Sequence, residues 1–245
     1  LALHNYHAGH GIFPMGTRRA RGAAWSGYIL PQLEQQNLYD TLTFDKTDGD
    51  PLMQWAFPMP GQEDVSSRPK VVACETVLSV FRCPSAGLPQ HVYDISTDNW
   101  VVKRRVPGTY LGCASGLATD DEAGDMLDLD GIFFNDSGIR LDDILDGSSN
   151  AILVGEALPN AQDSTSMELP VSNGPDGPKD HWYIGGDDPD IDNDVSEFCG
   201  STGVAMNLPD DELSFGSAHS GGCNVTLADG AVRFIVESIQ ANTWS

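Results

Sequence analysis

The sequence predicts an α+β fold: an antiparallel β-sheet with few helices, long loops and a C-terminal β-hairpin. Three observations predict it. The apolar runs are short and separated by Gly, Pro, Asn and Asp, so they read as strands rather than long helices. An Asp229-Gly230 dipeptide joins two apolar stretches near the end of the chain, which is a hairpin signal. No strand–helix–strand alternation and no internal repeat is present. With 245 residues, of which 40% are hydrophobic, residues 1–245 read as one domain with a substantial core. Five Trp, six Tyr and nine Phe spread along the chain exclude a disordered acidic polymer.

Taken in order, residues 1–7 read as the last turns of a helix, with Leu3, Tyr6 and His7 on one face. Residues 1–8 are expected to be helical, with Gly9 and Gly11 ending the helix. Trp25, Tyr28, Ile29, Leu33 and Leu38 recur at helical spacing, giving one helix over 25–42 or two broken near Asn37, with Pro31 in a first turn. Residues 43–68 lack periodicity and suit a long surface excursion. Residues 71–80 fit helix or strand, and the following stretch to Cys83 should be extended because Pro84 disfavours helix before it. Residues 106–112 and 131–134 read as strands, 141–145 as one helical turn, and 151–154 as a buried strand. A two-residue type I′ turn at Asp229-Gly230 would pair Leu227 with Val232, Val225 with Phe234 and Cys223 with Val236, making one face of the hairpin apolar throughout.

The formal charge is −23 and the pI is near 4.2. Nucleic acid and anionic lipid surfaces are excluded as partners, because both are recognised through Lys and Arg. The imbalance is local: residues 1–110 carry 10 basic and 10 acidic side chains, residues 111–245 carry 3 and 26. No apolar run reaches the 18 or so residues of a membrane-spanning helix. Five cysteines (Cys74, Cys83, Cys113, Cys199 and Cys223) include no CxxC pair. Cys74 with Cys83, and Cys199 with Cys223, are spaced for disulfides, and buried free thiols are the alternative.

Two acidic clusters suit calcium, which takes 6–8 oxygens from a flexible loop. Asp188, Asp190, Asp192 and Asp194 alternate along one extended segment, and Asp125, Asp128 and Asp130 precede Gly131. Neither follows the EF-hand pattern, and solvated acidic loops are the bland alternative. His4, His7 and His10 recur every third residue, but a helix broken at Gly9 would not gather them, so they read as packing and hydrogen-bonding groups. Ser214 to Ser220 surround His219 without a GxSxG elbow, and Asp229 is engaged in its own turn, so a hydrolytic triad has little support. Glu156 is a lone acid with no identified mate. A carboxylate-pair hydrolase is the enzymatic alternative.

Five separated segments together resemble one family, the planctomycete-type, prepilin-like surface proteins known as domain of unknown function 1559. They are residues 1–7 with Phe13-Pro14, residues 29–40, Phe81-Arg82-Cys83-Pro84-Ser85, residues 143–156, and His219 followed, after nine intervening residues, by Asp229-Gly230, which is similar to the family's processing-associated H-X9-DG motif. The resemblance implies a pilin-like fold in which the end of an N-terminal helix packs on the sheet. It also implies an upstream leader and an apolar anchor helix of which residues 1–7 are the tail, an extracellular or cell-surface location, and self-association or assembly with other pilin-like subunits. It carries over no catalytic activity, and His219, Asp229 and Gly230 are expected to be structural. The expectation is a non-enzymatic, filament-forming structural protein stabilised by calcium. The alternative is a surface-displayed module binding glycan or protein through Trp55, Trp100 and Trp182.

Overall fold

The computed structural model describes residues 1–18, 23–42, 44, 68–93, 102, 104–119, 129–159, 184, 196–209 and 211–244. A five-stranded sheet organises them, in the order β7-β5-β6-β8-β9. Its strands are β5 (Tyr110–Ser115), β6 (Ile152–Glu156), β7 (Cys199–Ser201), β8 (Gly222–Leu227) and β9 (Val232–Val236). Two two-stranded pairs flank it: β1 (Thr17–Arg18) with β2 (Ala23–Ala24), and β3 (Val92–Tyr93) with β4 (Arg104–Arg105). The helices are α1 (Ala2–His10), α2 (Trp25–Tyr28), α3 (Gln36–Tyr39), α4 (Arg68–Cys74) and α5 (Ala241–Trp244).

The mixed composition and the sparse helices match expectation, but the sheet is not wholly antiparallel. Strand β7 runs parallel to β5, pairing Gly112 with Cys199 and Cys113 with Gly200. Cys199-Gly200-Ser201 is too short to show a hydrophobic period, so nothing local announced it. Strand β5 starts at Tyr110 rather than Val106. Residues 131–134 are not a strand: the amides of Gly131, Ile132 and Phe133 donate to Ala114 and Cys113 carbonyls while the chain turns away. The 25–42 segment is three short pieces, α2, a 3-10 turn at Pro31–Leu33 and α3, separated at Glu34, whose φ is 62°. Before Pro84 the backbone is extended, as proline requires, with Cys83 at φ −67° and ψ 122°.

Helix α1 runs through Gly9 to His10 and stops only at Gly11, in the left-handed region at φ 77°. A mid-helix glycine costs about 1 kcal/mol and does not by itself end a helix, which corrects the expected break at Gly9. The three histidines still serve separate contacts. His7 accepts the Leu141 amide at 3.1 Å, His10 stacks on Tyr6 at 4.0 Å, and His4 meets Phe13 edge-on at 6.0 Å.

The C-terminal hairpin forms in a different register from the one the dipeptide implied. The pairs are Thr226 with Val232, Val225 with Arg233, Asn224 with Phe234, and Cys223 with Ile235. Asp229 does not adopt positive φ and Gly230 does, at 85°. The Gly230 amide donates to Leu227, and Leu227 donates to Ala231. This is a type I turn followed by a left-handed glycine, which adds one residue to the loop. The turn is held from outside, since Ala228 and Asp229 amides donate to the Ala151 and Ser148 carbonyls. A one-residue slip inverts a strand. Val232, Phe234 and Val236 accordingly face solvent, and Ile235 packs against Cys223 and Val225.

Side chains of the sheet divide between two apolar clusters. The larger holds Leu3, Phe13, Trp25, Leu30, Phe81, Phe133, Leu153 and Phe198, joined where the Trp25 indole N–H donates to the Phe198 carbonyl at 2.8 Å. The smaller holds Leu111, Cys113, Phe215, Cys223, Val225 and Trp244. All five cysteines are buried and none is in a disulfide, so neither spaced pair is bridged. No helix among the described residues is long and apolar enough to cross a membrane.

Candidate functional site: a buried thiol, carboxylate and imidazole

Three side chains from segments far apart in sequence meet at one end of β6. Cys83 lies between two 3-10 turns, Ser79–Phe81 and Pro84–Ala86. Its amide donates to Thr109 Oγ1 at 2.6 Å, while the Thr109 amide donates to the Phe81 carbonyl and the Ala157 amide to the Thr109 carbonyl. These bonds lace the Cys83 segment to the start of β5 and the end of β6. Glu156 is the last residue of β6 and is 3% exposed. Its position is fixed by Gly155: a Cβ there would come within 2.5 Å of the Phe215 ring, so only glycine lets Phe215 lie flat against the strand. His219 sits in the turn leading into β8, where Ser217 Oγ accepts the His219 amide and donates to the Gly222 carbonyl.

The Glu156 carboxylate is the hub. One oxygen, Oε2, accepts the Asn224 amide at 2.7 Å and the Asn224 side-chain Nδ2 at 3.0 Å. The other, Oε1, lies 3.3 Å from His219 Nε2. Cys83 Sγ lies 3.6 Å from the same Nε2. The ligand atoms of the three side chains all fall within 4.8 Å of one another, and among the described residues no other group of three His, Cys, Asp or Glu does so. Burial, and then the hydrogen bond and negative charge of Glu156, push the Cys83 thiol up from its ordinary range. Cys223, on β8, is pushed up to about 12 by burial and by the same carboxylate.

A match to a family model covers residues 1–242, under the description "Protein of unknown function (DUF1559)". The chain belongs to the DUF1559 family. Neither a curated protein nor a solved structure matches it. The segments that carried the resemblance all lie within that match, and three of them meet at this junction. The Phe81 to Ser85 stretch supplies Cys83, residues 143–156 supply Glu156, and the H-X9-DG motif supplies His219. The Asp-Gly half of that motif lies under α1, with His4 Nε2 3.2 Å from where a Cβ on Gly230 would be.

The arrangement does not form a nucleophilic relay. In such a relay the imidazole uses one nitrogen for the nucleophile and the other for the acid. Here the thiol and the carboxylate converge on one nitrogen, and the thiol is held protonated rather than activated. Ser214 is equally unsuited: it is fully buried, and its hydroxyl donates to the Ala205 carbonyl while accepting the Leu208 amide.

Of the residues singled out by sequence, His219 lies before β8 against Glu156 and Cys83, and Asp229-Gly230 forms the turn after β8, with Asp229 Oδ1 accepting the Ala231 amide at 2.8 Å. Asp130 folds back on β5, where Oδ1 accepts the Ser115 hydroxyl and the Gly116 amide. Asp125, Asp128, Asp188, Asp190, Asp192 and Asp194 lie outside the described residues, as do Trp55, Trp100 and Trp182. Sequence reasoning missed the convergence of Cys83 and Glu156 with His219. The available signal was that each belongs to a separate family segment.

Proposed function

We propose that this DUF1559 chain is a non-enzymatic, pilin- or pseudopilin-like structural subunit of the cell surface or extracellular space. One observation carries the reading: three of the family segments are tied to one another through the inward-facing contacts of Cys83, Glu156 and His219. Cys83, Glu156 and His219 join the 3-10 turns to β6 and to the entry of β8, and the Asp229-Gly230 turn closes against α1. A thiol kept protonated and a carboxylate held by Asn224 beside His219 suit a junction better than a reaction.

The same reading includes assembly with itself or with other pilin-like subunits, and calcium on the acidic loops around Asp188 to Asp194 and Asp125 to Asp130. The calcium part stands on the spacing of the carboxylates alone, since Ca²⁺ would offset their mutual repulsion. Electron microscopy of the protein isolated from its native surface tests the reading. Filaments or ordered surface arrays containing the chain are expected, whereas soluble dispersed monomers would overturn it.

A further inference from the structure

We propose that Cys83, Glu156 and His219 form a binding site for a zinc-class divalent transition metal. Zinc–sulfur bonds of about 2.3 Å and zinc–nitrogen or zinc–oxygen bonds of about 2.0–2.2 Å, at tetrahedral angles, put sulfur about 3.6 Å from nitrogen and nitrogen about 3.4 Å from oxygen. The structure holds Cys83 Sγ 3.6 Å from His219 Nε2, and Nε2 3.3 Å from Glu156 Oε1. Two edges of a ligand tetrahedron are already at their bonded spacing. The arrangement that disqualifies a relay suits a metal, because all three donor atoms lie within 4.8 Å of one another and one ion between them could reach each.

The donor set selects the metal. Thiolate and imidazole favour zinc, cobalt and their neighbours, whereas calcium and magnesium take oxygen alone. A thiolate and a carboxylate carry two negative charges, which one divalent ion neutralises, and the Cys83 proton leaves to solvent on binding. Each ligand is also oriented from behind. Asn224 holds Glu156 Oε2 through two donors and leaves Oε1 for the metal, Ser217 fixes the His219 backbone, and Thr109 fixes the Cys83 amide. Such supporting contacts are what tune real metal sites. His219 has a side chain 35% exposed, which places the solvent side of the site there and leaves the fourth position to water.

The full chain, reduced and stripped with EDTA, is titrated with Co²⁺ followed by Zn²⁺, with absorption and calorimetry as readouts. One equivalent of Co²⁺ should bind with a thiolate-to-metal charge-transfer band and a tetrahedral ligand-field spectrum, be displaced by Zn²⁺, and resist excess Ca²⁺. Cys83→Ser should abolish the charge-transfer band. His219→Gln, a change at a partly exposed side chain that leaves no buried hole, should weaken Zn²⁺ binding by roughly 100-fold or more. Asn224→Ala, which removes a support rather than a ligand, should weaken it by about 10–100-fold. Cobalt bound without the charge-transfer band, or Zn²⁺ affinity unchanged in His219→Gln, would overturn the site and assign the ion to the acidic loops, and a band that survives Cys83→Ser would overturn it in favour of another cysteine. The outcome is independent of whether the chain assembles.

Discussion

Glu156 offers a direct measure of how much the junction of family segments contributes to stability. Its carboxylate is 3% exposed, so its hydrogen bonds are little weakened by solvent. Glu156→Ala leaves the Asn224 amide and side-chain donors without their acceptor and removes the partner of His219. A buried donor left unsatisfied costs about 1–3 kcal/mol, so two of them sum to about 4 kcal/mol. Glu156→Gln keeps the volume, and its single carbonyl can still accept from Asn224. Its amide N–H₂ then faces His219 and Cys83 in place of a charge, a loss of about 2 kcal/mol. For a chain of this size 1 kcal/mol moves the midpoint by about 2–4 °C, giving melting points lowered by about 8–16 °C for alanine and 4–8 °C for glutamine. The assay is urea and thermal unfolding followed by circular dichroism, run in EDTA so that metal does not contribute. Asn224→Ala combined with Glu156→Ala should be less than additive, because the two remove the same bonds. Alanine within about 0.5 kcal/mol of the parent, or glutamine more damaging than alanine, would refute the account of Glu156 as an anchor.

Gly155→Ala should cost about 1–3 kcal/mol in urea unfolding, because its Cβ would overlap the Phe215 ring at 2.5 Å. In the hairpin, Phe234→Asp should change stability by less than about 0.5 kcal/mol while Ile235→Asp destabilises clearly; the reverse order would restore the two-residue-turn register. Cys113 and Cys223, both pushed up to about 12 by burial, should resist iodoacetamide at pH 8 in the native protein and react fully once unfolded, read by mass spectrometry. A thiol whose folded pKa is raised stabilises fully below its unfolded value near 9, and that contribution is lost as pH rises from there towards 12. Melting temperature should therefore fall across that window. On the proposed calcium reading, a chelator should lower the melting temperature, with recovery on adding Ca²⁺ back; an unchanged melt removes calcium from that reading.

Much of the backbone was legible because local physics decides it. Pro84 forces extension at Cys83, and the helix ends at a glycine, although at Gly11 rather than Gly9. The apolar run after Asn150 forms a strand. Strand β7 was not legible, since three small residues acquire a conformation only when β5 offers its edge. The hairpin is the instructive intermediate. Asp229-Gly230 correctly located the turn, but the type was set by Ala151 and Ser148, which take the Ala228 and Asp229 amides and thereby fix the register.

The sequence by itself determined the family, the α+β class, the position of the hairpin and the confinement of the −23 charge to residues 111–245. Composition and short-range spacing suffice for these, because turns, caps and motif order are properties of neighbours along the chain. Only the tertiary structure decided that Cys83, Glu156 and His219 share one point. They are 73 and 63 residues apart in sequence, and no pattern within a segment encodes a distance between segments. That distance follows from Thr109 tying the Cys83 turn to the sheet, from β6 pairing with β5 and β8, and from Gly155 yielding to Phe215, so that a thiol, a carboxylate and an imidazole meet at one nitrogen.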